Sequence, residues 1–464
     1  MEVSDIDFVE TTPLFAAPVP PKTPLGSFDY VRRMQDSAIA GFHQEVFQRP
    51  IVETKHWRLH TFIVNDPAGI KHIMVDNAAN YVKGTIEQRI SKIWTDKGPA
   101  ANEGAEWRQR RQAFSQSFDR GAILASSTHI LDAAKRTLDR WSCLPPGTVI
   151  EASAEMRAIT LEIMSKIVFS ADWERLALTM EDASKRYQQE RAIYLLDLVP
   201  VLDRFWGFYK GYRRRRIFKK LNLAVDQVIA KRAQGDANSD GDFLSRLMKE
   251  TDPVTGKGLS AHEMHGRIIT VLGAGHETVA LTLMWIWYLL SQHPLQEAKL
   301  HAEVDQVLGG RAPELKDITK LTYTRAVVEE ALRLYPPFHT MAWRAALKDD
   351  EVCGVRIPKG ATITIAPWVL HRHSMLWNDP DRFDPERFST ERSRERSAYA
   401  YLPFGLGQRA CVGAQLAMTE TTLILATLAQ HYRLRLLSGQ RVEPQGFVLL
   451  KARYGMKMTV ESRR

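Results

Sequence analysis

Ten residues near the C-terminal end, Phe404-Gly405-Leu406-Gly407-Gln408-Arg409-Ala410-Cys411-Val412-Gly413, constrain this chain more than any other stretch. One cysteine stands among three glycines, with a cation two residues before it. Gly405 and Gly407 permit left-handed turns that Cβ-bearing residues resist, and Gly413 lets the backbone approach something bulky. An apolar stretch at helical spacing follows, with Leu416, Ala417, Leu423, Ile424 and Leu428. If that helix begins near Cys411, its free N–H groups and dipole point at the sulfur and favour a thiolate. A thiolate held by a stiff loop suits binding a soft metal from one side. A free cysteine at a helix start is the commoner reading of any isolated cysteine. Here Phe-x-x-Gly-x-Arg-x-Cys-x-Gly fixes five positions at set spacing, which makes chance agreement rare.

Three further groups of residues agree with a large buried site. Trp107 and Arg111 are four apart and share one face of a helix. Ala274-Gly275-His276-Glu277-Thr278 lies at the centre of a long apolar helix, about residues 262–292. Thr278 can bond back to a carbonyl one turn earlier and loosen the ladder, as at many functional sites. Glu330 and Arg333 are three apart on a helix and can pair. Their neighbours Val327, Val328, Leu332 and Leu334 predict that this pair is buried.

Taken with the cysteine loop, these motifs resemble the cytochrome P450 family, the type example of cysteine-ligated haem. The resemblance spans roughly residue 20 to the C-terminus. It implies a mainly α fold with small β-sheets (α+β), the haem buried between the central helix and the helix after the cysteine loop. Cys411 is then the axial ligand of haem b and Phe404 packs near the sulfur. Arg409, Arg344, Trp107 and Arg111 reach the propionates, and Gly405, Gly413, Ala274 and Gly275 leave room for the macrocycle and for oxygen. Glu277 and Thr278 become the acid–alcohol pair that conveys protons, although Val279 stands where many members carry a second Thr or Ser. His276 is the variable position and reads as structural. Glu330, Arg333 and Arg387 form a structural trio. The substrate pocket is expected to include Ile90, Ile93, Leu272, Phe338 and Met341, with an apolar lid around Ile193 to Tyr212.

The implied activity is insertion of one oxygen atom of O2 into a hydrophobic small molecule. The chain has no recognisable flavin or nicotinamide domain and no iron–sulfur cysteines. Electrons are therefore expected from a ferredoxin or flavodoxin with its NAD(P)H reductase. A haem-thiolate isomerase or dehydratase acting on a peroxide is the alternative, and a haem-binding sensor a further one. Both need the acid–alcohol pair less.

Composition bounds the rest. At 464 residues with no long linker, one domain over residues 1–464 is expected, with residues 1–20 a flexible arm. Three cysteines, Cys143, Cys353 and Cys411, make no disulfide framework and fit a reducing compartment. No basic, apolar leader is visible, and His276-Glu277 interrupts the best membrane-span candidate, so a cytoplasmic protein without a span is expected. The net charge of +9 is concentrated in Arg213, Arg214, Arg215, Arg216, Lys219 and Lys220. No nucleic-acid module accompanies that run, which reads first as a solvated helix face and second as a contact for acidic lipid or protein. Arg108 and Arg110 lie about 100° and about 300° round the helix from Trp107. At least one of them is expected to face solvent where an acidic donor docks.

Local patterns predict a helix near Tyr30–Gln44, a strand over Lys55–Asn65 and a helix from Asp66-Pro67 to Asn77. They also predict helices over 125–250, broken at 144–147 and 235–241, and a helix over Thr319–Leu334. Val352–Ile365 reads as a small sheet, and Phe447–Val460 as a strand pair.

Overall fold

The computed structural model describes residues 16–56, 59–84, 88, 104–170, 179–180, 182, 200–234, 242–252 and 256–463. The axis of the core is the helix Ala261–Gln292. Ser260 starts it with a capping box: its hydroxyl accepts from the Glu263 amide, and the Glu263 carboxylate accepts from the Ser260 amide at 2.9 Å. Trp285, Trp287, Leu283 and Leu289 on this helix are fully buried. It is the one helix among the described residues long and apolar enough to cross a membrane, and 78% of that apolar window is buried inside the fold.

Among the helices packed on this axis are Ala152–Phe169, Thr322–Leu334 and Ala414–Ala429. The helix Arg120–Ser142, capped where Asp119 accepts from the Ala122 amide at 2.8 Å, covers the first and last of these. Pro200–Ala233 lies against the axis from another side. Arg216, Lys219 and Lys220 on it are exposed. The side chains of Arg213, Arg214 and Arg215 lie outside the described residues, as do residues 193–199 of the lid expected over 193–212, whose remainder opens this helix.

The sheets are small. Strands β1 (Ile51–His56), β2 (Leu59–Val64), β3 (Tyr81–Lys83), β5 (Ala342–Ala346) and β8 (Thr362–Ile365) make one sheet in the order β1-β2-β8-β5-β3. β2 runs parallel to β8, and the other pairs are antiparallel. β4 (Val149–Glu151), β12 (Lys457–Ser462) and β9 (Tyr432–Leu436) form a second sheet. β6 (Asp350–Val352) with β7 (Val355–Ile357), and β10 (Pro444–Gly446) with β11 (Leu450–Ala452), are two-stranded. The architecture is helix-rich with small sheets, as expected.

Several local expectations need correction. The strand over Lys55–Asn65 is two antiparallel strands, because the chain reverses between His56 and Leu59. A period of two does not mark a reversal that lacks a Gly or Asn signal. The two strands expected within Phe447–Val460 do not pair with each other: β11 joins β10, and β12 joins β4 and β9. The first helix is Ser27–Asp36, followed by a tight turn Ala38–Gly41. The end of the expected flexible arm is docked: Tyr335 donates its hydroxyl to the Ala16 carbonyl at 2.9 Å, and the Ala16 amide donates to Tyr288 at 3.3 Å. Residues 1–15 lie outside the described ones.

Candidate active site

A cavity of about 420 Å³ lies between the cysteine loop and the central helix. The loop is shaped by backbone before side chains. Gly405 and Gly407 have φ of 77° and 67°, and a Cβ on Gly407 would stand 2.4 Å from the Met74 carbonyl oxygen. Only glycine fits there. The Cys411 amide donates to the Phe404 carbonyl at 2.8 Å and closes the loop. The following helix begins at Ala414 with Gly413 as its cap, three residues after the position expected.

Cys411 keeps accessible surface and lines the cavity. Burial pushes its thiol up, while the Gly413 amide donating to the sulfur and the nearby Arg111 act in the opposite sense. The helix Gly104–Gln116 clamps the loop from below at two points. Arg111 donates to the carbonyl of Ala410, and the Arg409 guanidinium lies over the Trp107 ring, 3.8 Å from its centroid. Phe404, Trp107, Arg111 and Arg409 all line the cavity.

On the opposite wall the central helix presents Val271, Ala274, Gly275, Thr278, Val279 and Thr282. Thr278 donates to the Ala274 carbonyl at 2.7 Å, the back-bond its position predicts. Gly275 has a second duty. A Cβ there would come within 2.6 Å of the Met164 methyl carbon, so the missing side chain also seats a methionine of the neighbouring helix at the cavity wall. Glu277 departs from expectation. It is buried, does not line the cavity, and stands 3.9 Å from Arg157 and 3.6 Å from His276. Adjacent helical positions point about 100° apart, so acid and alcohol face different surroundings. His276 is buried and bonded to the Leu272 carbonyl at 2.6 Å, which fits a structural part.

Of the expected pocket residues, Phe338 and Met341 line the cavity. Leu272 does not: it is 1% exposed and belongs to the hydrophobic core, because the face that carries Ala274 and Thr278 turns it away. Ile90 and Ile93 lie outside the described residues. Arg344 lines the cavity from β5, and directly opposite it in the β3–β5 register stands Lys83, which local patterns missed. Each is 5% exposed. Both therefore bring positive charge to one buried region beside the cavity.

Glu330 and Arg333 are wholly buried and paired, with Arg387 at 3.4 Å from the same carboxylate. Arg333 also donates to the His371 carbonyl at 2.8 Å, and the His371 imidazole accepts from the Leu402 amide at 2.9 Å. The trio is thereby tied to the residues just before Phe404. His371, the link, had no local signal.

The sequence matches the Cytochrome P450 family over residues 18–458. The chain belongs to the cytochrome P450 family. Among relatives of this cytochrome P450, cyclooctatin synthase of Streptomyces melanosporofaciens is 33% identical over 83% of each chain. Cyclooctat-9-en-7-ol 5-monooxygenase of the same organism is 32% identical over 84% of this chain and 83% of its own. Pentalenene oxygenase of Streptomyces avermitilis is 34% identical over 73% of this chain and 74% of its own. The solved haem domain of cytochrome P450DA superposes with a TM-score of 0.80 at 25% identity, covering 97% of this chain and 98% of its own. The protein is thus a cytochrome P450 monooxygenase, an oxidoreductase with a haem-thiolate iron cofactor that uses O2, a hydrophobic substrate and redox partners. The residues present fit that cofactor. A thiol faces the cavity, four cations line it, and among the described residues nothing but Gly413's own chain neighbours comes within 4 Å of where its Cβ would be.

Proposed function

We propose that this cytochrome P450, one domain of the cytoplasm, binds haem b through Cys411 and hydroxylates or epoxidises a terpenoid. The observation that carries the reading is that the Cys411 thiol and the Thr278 hydroxyl face one cavity from opposite elements. When bound, the haem supplies the activation of O2, and the anionic sulfur donates electron density toward the iron. Arg111, Arg409, Arg344 and Lys83 would offset its two propionates in a low-dielectric interior. Thr278 holds a proton at Oγ1, anchored on the Ala274 carbonyl. Glu277, the next residue toward the helix start and off the cavity beside Arg157, is the acid of the proposed relay and connects to Thr278 through water. Val271, Phe338 and Met341 make an apolar wall that orients a substrate without charge. A terpenoid is favoured because two relatives are named for cyclooctat-9-en-7-ol and pentalenene. Electrons come from an acidic ferredoxin or flavodoxin and its NAD(P)H reductase.

The test is spectroscopic first. Reduced protein with carbon monoxide should show the far-shifted band of thiolate-ligated haem, absent in Cys411→Ala and retained in Cys143→Ala and Cys353→Ala. With a ferredoxin and its reductase, NAD(P)H should be consumed in step with an oxygenated terpenoid product. A normal band in Cys411→Ala removes the ligand assignment. Turnover of a peroxide without NAD(P)H favours the isomerase alternative.

A further inference from the structure

Glu420 has no part in the chemistry above, yet it lines the same cavity as Cys411 and Thr278. It stands on the helix that leaves the cysteine loop, seven residues past Gly413, or about 10 Å along the axis. Its side chain is 1% exposed, and Oε1 has no hydrogen-bond partner among the described residues. A buried carboxyl without a cation is costly to ionise, so such groups are rare unless their protonation is used.

Among the described residues no charged group acts on this carboxyl, and burial alone shifts it. The central helix presents Thr278, Val279 and Thr282 to the cavity, and the helix Thr322–Leu334 presents Leu332. No residue of Arg120–Ser142, Pro294–Leu308, the turn Leu315–Thr319 or β9 lines the cavity. The titratable and charged groups that share it with Glu420 are Cys411, Arg111, Arg409, Arg344 and Lys83.

We propose that Glu420 is a redox-linked proton site: it takes up one proton when the iron held by Cys411 takes up one electron. The inference rests on the haem-thiolate reading of the site. The step balances. One electron from the external donor lowers the charge at the iron by one, and one proton from water forms an O–H bond on the Glu420 carboxylate. The net charge of the buried region is unchanged, which a low-dielectric interior favours. Burial raises the Glu420 carboxyl to about 8. Ionised Glu420 is therefore available from about pH 8 upward, and the linkage acts there.

The experiment is a potentiometric titration of haem-loaded protein from about pH 6 to about pH 10, wild type against Glu420→Gln. The wild-type potential should be level at low pH and then fall toward about 59 mV per pH unit, the tenfold conversion for one electron. Glu420→Gln should stay level through that window, and Glu420→Asp should restore a slope. A level wild-type profile, or the same slope in Glu420→Gln, overturns the proposal. If Glu420→Gln loads no haem, proton uptake by the wild type on reduction, followed with an indicator dye, decides instead. No uptake above about pH 8 refutes it. A protein without the thiolate band would overturn the haem-thiolate reading and this inference together. With the band present, a level profile removes this inference alone.

Discussion

Glu330 and Arg333 form a two-point ion pair, at 2.6 and 2.8 Å, with neither side chain exposed to solvent. A buried pair adds little over apolar packing, but removing one partner strands the other charge. Arg333 also holds the carbonyls of His371, Pro380 and Arg382, so its loss frees three acceptors as well as one carboxylate.

Glu330→Ala or Arg333→Ala should therefore cost about 3–5 kcal/mol, a large share of a total near about 5–15 kcal/mol. Soluble yield, haem content and denaturant midpoint measure it. The exposed pair Lys135–Asp139 at 2.9 Å is the control. Lys135→Ala should change stability by about 0–1 kcal/mol. A Glu330→Ala protein as stable as the control would contradict the burial.

Thr278→Ala removes a hydroxyl at the cavity wall while leaving the apolar face intact. Haem and substrate binding should persist, and product per NAD(P)H should fall as electrons go to peroxide or water. Loss of a positioned proton donor costs about 10²–10⁴-fold in rate, with water a partial substitute. Thr278→Ser should recover part of the coupling. Wild-type coupling in Thr278→Ala would sink the assigned part.

The donor-docking expectation narrows to one residue. Arg110 pairs with Asp252 at 3.0 Å, so reversing its charge would break a structural contact. Arg108 is exposed on the same helix, the one that clamps the cysteine loop. Arg108→Glu should slow reduction by an acidic ferredoxin without changing substrate affinity. The defect should shrink from low salt to about 1 M, where the screening length is about 3 Å. Reversing Arg216, Lys219 and Lys220 should leave reduction unchanged. An effect confined to that second set would move the docking face.

Glu420 also gives a pH dependence of stability. Burial raises its carboxyl from 4.5 to about 8 in the folded chain. Below about pH 4.5 both states are protonated and the group costs nothing. As pH rises, the unfolded chain ionises first, and stability is lost progressively until the folded group ionises near about 8. Glu420→Gln escapes this loss. Its stability advantage over wild type should grow from about pH 5 to about pH 8 and then level off, in denaturant midpoints taken across that range. A constant difference would show that the carboxyl is ionised throughout.

What the sequence alone determined is whatever depends on residues within a turn or two of each other. The cysteine loop was legible because Gly405 and Gly407 are demanded by backbone angle, and Gly407 also by contact with Met74. The back-bond of Thr278 to Ala274 and the pairing of Glu330 with Arg333 follow from helical spacing, which is local geometry. Tertiary structure decided the rest. Lys83 faces Arg344 only because β3 and β5, far apart in the chain, pair in one register. Leu272 left the pocket and Glu277 turned toward Arg157 because the roll of the central helix is set by what packs around it. The isolation of Glu420 depends on how the helices pack around it, since among the described residues burial alone acts on its carboxyl. Such relationships carry no period and no motif, since the partners are brought together by burial of the core rather than by their spacing along the chain.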